Sequence, residues 1–324
     1  MKSVAVICGG FSSEFDISVK SAKTIIENFP EQYKTFMLLL TKEGWFVENQ
    51  GERTSFSLDT MSTLNDEFKM DAAVVYIHGD PGENGKVQAF LEMKGIPYIN
   101  SGPLASSLSF DKWYCNQFLK GFGIPVAESV FMRRKDEFTL DSLVSKLGLP
   151  LFVKPSDSGS SYGISKVNKL NELMPALEMA FKEGRTVVLE SFLKGTEVTC
   201  GIYRGKNGLF TLPLTEIVSD NEFFDYEAKY NGKSKEITPA RVSDSVVVKV
   251  NELSKKIYDL MQLRSIARID FMVVDDQPHL IEVNTTPGFS AASIVPQMIK
   301  VSGSTVKDFW QEIVEVELES GQSI

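Results

Sequence analysis

The chain has 324 residues, 43% of them hydrophobic and 24% charged, with a formal net charge of -9. That length suits two or three compact units with real cores, and the acidic balance excludes a general nucleic-acid surface while leaving room for a local basic pocket. Cys8, Cys115 and Cys200 are far apart and lack C-x-x-C spacing, which argues against a disulfide framework or a zinc cluster and for a reducing cytoplasm.

Strand and helix signals alternate through the first hundred residues. "SVAVICGG" reads as a strand, about Ser18 to Asn28 as an amphipathic helix, and "YKTFMLLLT" and "DAAVVYIHG" as further strands. "GKVQAFLEMKG" reads as a helix closed by Gly95, and "IPYINSG" as a short strand entering a turn. This is the βαβ pattern of a small parallel sheet. From about Ser101 the pattern changes to the helical "FDKWYCNQFLKGFG" and the strands "LFVKP" and "TVVLESF", the mark of an α+β unit. A third unit begins near Gly195 with the strands "TEVTCGIYR" and "ARIDFMVV" and the helix "VVVKVNELSKKIYDLM". The acidic run "EIVEVELESGQSI" is expected to be a fraying helix end. The predicted units are residues 1–100, 101–194 and 195–324. No apolar run approaches the ~20 residues that span a bilayer, and the apolar run at the N-terminus is too short for a signal peptide.

Three stretches carry candidate chemistry. After the first strand, "CGGFSSEFDIS" uses Gly9 and Gly10 for a tight turn, with Ser12 or Ser13 to cap a helix and Glu14 near its start. A capped helix explains these residues locally; a Glu14 facing the carboxyl edge of the sheet would suit an ammonium group. In "LFVKPSDSGSSYGISKV", Lys154 ends an apolar strand before a Gly-Ser loop fit for phosphate oxygens, though the loop also reads as an ordinary hairpin connection. It is not a Walker A loop.

The third stretch is "ARIDFMVVDDQPHLIEVNTTPG", a hairpin signal. Glu282 and Asn284 share a strand face, about 7 Å apart at a rise of about 3.3 Å per residue. If the turn has an odd number of residues, such as Asp275 to Gln277, Asp270 falls opposite Glu282 and Arg268 joins the same face. Asp270, Glu282 and Asn284 could then hold one or two Mg²⁺ ions, and Arg268 could meet phosphoryl charge. Taken alone, the face reads equally as a solvated hairpin surface with an ion pair.

Taken together, in order, "GGFSSEFDIS", "HGDPGENGKVQAFLEMKGIPYINSG", "FDKWYCNQFLKGFGIPV", "FVKPSDSGSSYGISKV", "LESFLKGTEVT", "FFDYEAKY" and "RIDFMVV" through "IEVNTTPGFSAASIVPQM" resemble the D-alanine-D-alanine ligases of the ATP-grasp superfamily. The resemblance spans nearly the whole chain. It implies an α/β and α+β ATP-grasp fold with an N-terminal Rossmann-like parallel-sheet domain. The implied reaction is ATP-dependent joining of two D-alanines through an acylphosphate, for peptidoglycan precursors.

The resemblance also implies site roles. Lys112, Lys154, Ser161, Glu190, Ser191, Phe192, Leu193, Glu197, Phe223 and Lys229 would bind ATP, and Asp270, Glu282 and Asn284 would bind Mg²⁺, or Mn²⁺ in its place. Glu14 and His78 would hold the first D-alanine, Arg268 and the Gly288 N–H the oxyanion, and Ser293 the second carboxylate. Tyr230 would tie a lid to Ser160 and Glu14. The departures are Gly-Glu-Asn-Gly for the commoner Gly-Glu-Asp-Gly, and Ser191-Phe192 at the hinge. A cytoplasmic homodimer with no nucleic-acid or membrane partner is implied. The alternatives are another ATP-grasp carboxylate-amine ligase, a D-alanine-D-lactate ligase included, or a non-catalytic nucleotide-binding regulator.

Overall fold

Val4, Ala5, Val6, Ile7 and Cys8 are apolar at every position and wholly buried, as befits a strand covered on both faces. They belong to Ser3–Gly9, which pairs in parallel with Lys34–Thr41 on one side and Ala72–Val75 on the other. Ala72–Val75 pairs in parallel with Tyr98–Ile99. The computed structural model describes residues 1–157, 162–219 and 234–319. The four parallel strands are those the apolar runs predict. Three antiparallel strands, Gly44–Asn49, Glu52–Ser57 and Ser62–Thr63, extend the sheet to seven. This extension departs from the purely parallel expectation, because Glu52–Ser57 is exposed at all but Phe56 and shows no apolar alternation to read.

The faces of this sheet follow the period of two. Val4, Val6 and Cys8 pack with Ala22 and Ile25 of the helix Phe15–Asn28, and Ala5 and Ile7 pack with Val87 and Leu91 of Lys86–Met93. The first of these cores is completed from the far end of the chain. Phe289, Val295 and Met298, with Phe309 and Trp310 of the helix Val306–Val314, bury themselves on it.

The second sheet is antiparallel, ordered Ser165–Val167, Leu151–Pro155, Thr186–Ser191, Ser129–Arg133, and its core takes Leu143 and Leu147 from one helix and Leu177 and Phe181 from another. The third is also antiparallel and runs Ser234–Ile237, Thr215–Ser219, Thr196–Gly205, Ile266–Val274, Gln277–Asn284. The helix Asp244–Leu260 covers it with Val246, Val250 and Ile257.

Two expectations are corrected here. The hairpin from Ile266–Val274 to Gln277–Asn284 turns on two residues, Asp275 and Asp276, both at positive φ, and not on an odd number. A bulge at Ile281 restores the register, so Asp270 still pairs with Glu282 and Arg268 with Asn284. The acidic C-terminal run does not fray at Glu317: that carboxylate is buried, 2.9 Å from the Arg264 guanidinium, and accepts the Ser265 N–H at 2.8 Å. Residues 320–324 lie outside the described part.

Candidate active site

Gly9 and Gly10 end the first strand at φ +92° and +98°, and a Cβ on Gly10 would lie 2.4 Å from Ile77 Cγ2. The tight turn this allows sets Glu14 at the N-cap of Phe15–Asn28. Ser12 does not cap that helix. Its hydroxyl donates to the His78 carbonyl at 2.7 Å and accepts the Glu14 N–H at 3.2 Å, which ties the glycine turn to the loop after Ala72–Val75.

Glu14 and His78 line one cavity of about 360 Å³, together with Lys112, Arg268, Glu282, Asn284, Gly288 and Ser293. The structure thus gathers every described residue predicted for the amino-acid substrates. His78 is buried, and burial lowers its pKa against the upward pull of Glu14, so the imidazole is neutral near pH 7. Ser293 lies 3.1 Å from where a Gly288 Cβ would stand, and its hydroxyl accepts the Ser290 N–H at 3.0 Å.

The sequence reading overlooks Glu83, which lines this cavity. Its carboxylate accepts the Gly79 N–H at 2.7 Å. Burial, then the neighbouring Glu14, push its pKa up to about 8, with Glu282 adding to this and Lys112 opposing it. The signal was a carboxylate held between Gly82 and Asn84 at the carboxyl edge of the sheet, where ligands of open α/β sheets bind.

A second cavity adjoins the first and shares Lys112, Ile164 and Glu282 with it. It is lined by Lys154, Glu190, Ser191, Leu193, Glu197 and Asp270, and floored by apolar Ala127, Met272 and Leu280. Lys112 is the first residue of the helix Lys112–Lys120, which Asp111 caps by accepting the N–H groups of Trp113 and Tyr114 at 3.1 Å. Lys154 stands 2.6 Å from Glu190, whose other oxygen accepts from Asn116 at 3.3 Å. Burial works against the charge on Lys154, but Glu190 outweighs it and raises the ammonium's pKa. Phe192 is not among the lining residues. Its ring leans on Phe152 at 5.9 Å, under the Lys166 ammonium at 4.6 Å.

The predicted metal face forms where the two cavities meet. Arg268 donates to both oxygens of Asp270 at 2.9 and 2.8 Å, Thr199 donates to Asp270 as well, and Asn284 Nδ2 donates to Asp270 at 3.1 Å. Burial opposes the Arg268 charge, but Asp270 holds its pKa above the ordinary arginine value. Two carboxylates and an amide oxygen on one wall are hard oxygen donors, the set that Mg²⁺ takes together with phosphate oxygens. The donor chemistry fits that ion. Ser160, Ser161, Phe223, Lys229 and Tyr230 lie outside the described residues.

A mixed sheet with helices on both faces, joined to two antiparallel sheets that meet over a slot lined by lysines and carboxylates, defines an ATP-grasp ligase. Residues 3–101 match the family model described as D-ala D-ala ligase N-terminus, and residues 118–315 the one described as D-ala D-ala ligase C-terminus. The chain belongs to the D-alanine-D-alanine ligase family. It is 41% identical to the D-alanine-D-alanine ligase of Azobacteroides pseudotrichonymphae genomovar CFP2, over 97% of this chain and 99% of that one. Among solved structures, the VanG D-Ala:D-Ser ligase of Enterococcus faecalis superposes with a TM-score of 0.88 at 29% identity, covering 98% of this chain and 99% of that chain. The Bacillus anthracis D-alanine-D-alanine ligase in complex with ATP does so with a TM-score of 0.80 at 29% identity, covering 98% of each. Among the described residues no helix is long and apolar enough to cross a membrane.

Proposed function

We propose that this chain joins two molecules of D-alanine at the expense of ATP, with residues 1–100, 101–194 and 195–324 as its working units. The observation that carries the reading is the pair of cavities meeting at Lys112, Ile164 and Glu282, one fit for a nucleotide and the other lined by carboxylates, a neutral imidazole and an arginine.

In the nucleotide cavity Glu190 to Leu193 would line the adenine, Glu197 would take the ribose, and Lys112 and Lys154 would hold the phosphates. Lys154 must then shift its charge from Glu190 toward phosphate oxygens. Asp270, Glu282 and Asn284 would hold Mg²⁺, which when bound neutralises phosphate charge. In the other cavity Glu14, beside His78, would hold the ammonium of the first D-alanine, with its carboxylate toward the γ-phosphate.

A carboxylate oxygen attacks the γ-phosphorus, the bond to the β-phosphate oxygen breaks, and ADP leaves an acylphosphate. Arg268 steadies the charge on the transferring group. The second D-alanine, its carboxylate at Ser293, loses an ammonium proton and attacks the acyl carbon with the freed amine. The Gly288 N–H and Arg268 stabilise the tetrahedral oxyanion, the carbon-to-phosphate-oxygen bond breaks, and inorganic phosphate leaves with the dipeptide. The sum is two D-alanines and ATP to dipeptide, ADP, phosphate and one proton. The protein's share is positional and electrostatic, with no covalent enzyme intermediate. A homodimer is the proposed assembly, to be read by sedimentation.

The test is phosphate release from ATP in the presence of D-alanine, L-alanine or no amino acid. Release that depends on D-alanine and matches dipeptide formation is expected. Release independent of D-alanine overturns the reading.

A further inference from the structure

We infer that Tyr76 is a positioning residue for the oxyanion step, aiming the Gly288 N–H by holding the carbonyl of the same peptide unit. The inference rests on the ligase reading above. Tyr76 follows the strand Ala72–Val75 and is buried. Its hydroxyl donates to the Pro287 carbonyl at 2.7 Å.

A trans peptide is planar, with C=O and N–H pointing to opposite sides. The Pro287 carbonyl and the Gly288 N–H form one such plane, so a hydrogen bond that fixes the first fixes the direction of the second. The bond also polarises the amide and makes its N–H a better donor. Gly288 lines the amino-acid cavity, and its N–H has no hydrogen-bond partner among the described residues. The donor is left for a ligand.

Other anchors from the N-terminal unit hold the residues on either side. Asn100 donates to Thr286 Oγ1 at 3.0 Å, and Ser21 Oγ accepts the Phe289 N–H at 3.1 Å. The Tyr76 ring also stands edge-on to His78 and to Phe289, both at 5.9 Å between centroids. One side chain therefore touches the residue beside the first substrate and the loop that meets the oxyanion. All three anchors are buried, so water cannot replace a lost bond without opening the junction.

A misaimed N–H harms one step selectively. Phosphoryl transfer to the first carboxylate does not use Gly288, whereas attack of the second amine does. An acylphosphate that waits longer for the amine is lost to water, so ATP is consumed without dipeptide. A variant that is only less well folded loses both products in equal proportion.

The experiment compares wild type with Tyr76→Phe, which keeps the ring and deletes the hydroxyl, and with Asn100→Ala, which frees the same loop at a different bond. Dipeptide and phosphate are counted per unit time at saturating ATP and D-alanine, with thermal unfolding beside them. Wild type is expected to give one dipeptide per phosphate. Tyr76→Phe should lose about 10-fold in kcat for dipeptide, keep KM for ATP within about 2-fold, and fall clearly below one dipeptide per phosphate. Asn100→Ala should shift the ratio the same way, and decides the matter if Tyr76→Phe does not fold. A ratio of one in the folded variants overturns the inference and leaves the ligase reading standing. Wild type that makes no dipeptide overturns both.

Discussion

Glu83 is the residue on which the cavity's charge balance turns. Burial first, then like charge from Glu14 and Glu282, raise it, the Gly79 N–H and Lys112 oppose them, and the outcome is a pKa of about 8 against an ordinary 4.5. Arg268 feels the same carboxylate. Between those two values the native state keeps a proton that the unfolded chain releases, so stability falls as pH rises across the window and is fully present only below it. Glu83→Gln removes that slope. In ligand-free protein the variant's thermal midpoint should gain steadily on the wild type from pH 5 to pH 8, as read by calorimetry. Parallel curves would show that Glu83 ionises normally. Glu14 and Arg268 were legible from their own stretches, and His78 only through the family resemblance. Glu83 carried a positional signal between Gly82 and Asn84, but its shifted pKa was not legible, because that comes from burial beside Glu14, sixty-nine positions away in the chain, and proximity of that kind is set by packing.

The hairpin Ile266–Val274 to Gln277–Asn284 shows how an element can keep its function while the route to it differs from expectation. Alternation alone places Asp270, Glu282 and Asn284 on one face only if the turn is odd; the real turn is even, and the bulge at Ile281 makes the correction. A bulge leaves almost no mark in sequence, since Ile281, between Leu280 and Glu282, reads as one more apolar strand residue. The pairing also separates two residues that look alike on paper. Asp270 is buried, and its side chain with that of Arg268 is only 9% and 17% exposed, so Asp270→Ala strands a guanidinium and should cost about 1.5–3 kcal/mol of stability. Glu282 is partly exposed at the meeting of the cavities, and Glu282→Ala should leave the thermal midpoint nearly unchanged. Both should lower dipeptide synthesis by at least about 100-fold, a loss of roughly 3 kcal/mol in transition-state stabilisation. Equal melting of the two variants would show that the Arg268 pair is not structurally important, and near-normal synthesis at saturating Mg²⁺ would remove both carboxylates from the metal face.

At the scale of the molecule, no sheet owns the site. The first contributes Glu14 and His78, the second Lys154 and Glu190, and the third Asp270, Glu282 and Asn284, while the helices after Gly288 return to finish the core of the first. The four parallel strands of the first sheet were legible from apolar runs, but this closure was not, because helices such as Val306–Val314 carry only a generic apolar stripe and nothing local says which sheet it will cover. The arrangement makes the two cavities interdependent. Lys112 and Glu282 line both, so a nucleotide that draws Lys112 toward its phosphates changes the field in which a D-alanine carboxylate binds. A non-hydrolysable ATP analogue with Mg²⁺ should therefore tighten D-alanine binding by at least about 5-fold, and by linkage D-alanine should tighten the analogue by the same factor. Titration calorimetry in both orders measures the two factors. In Glu282→Gln, where the shared wall keeps its shape but loses its charge, the factor should fall toward one. D-Alanine affinity that is the same with and without the analogue in wild type would mean that the cavities act independently, whatever residues they share.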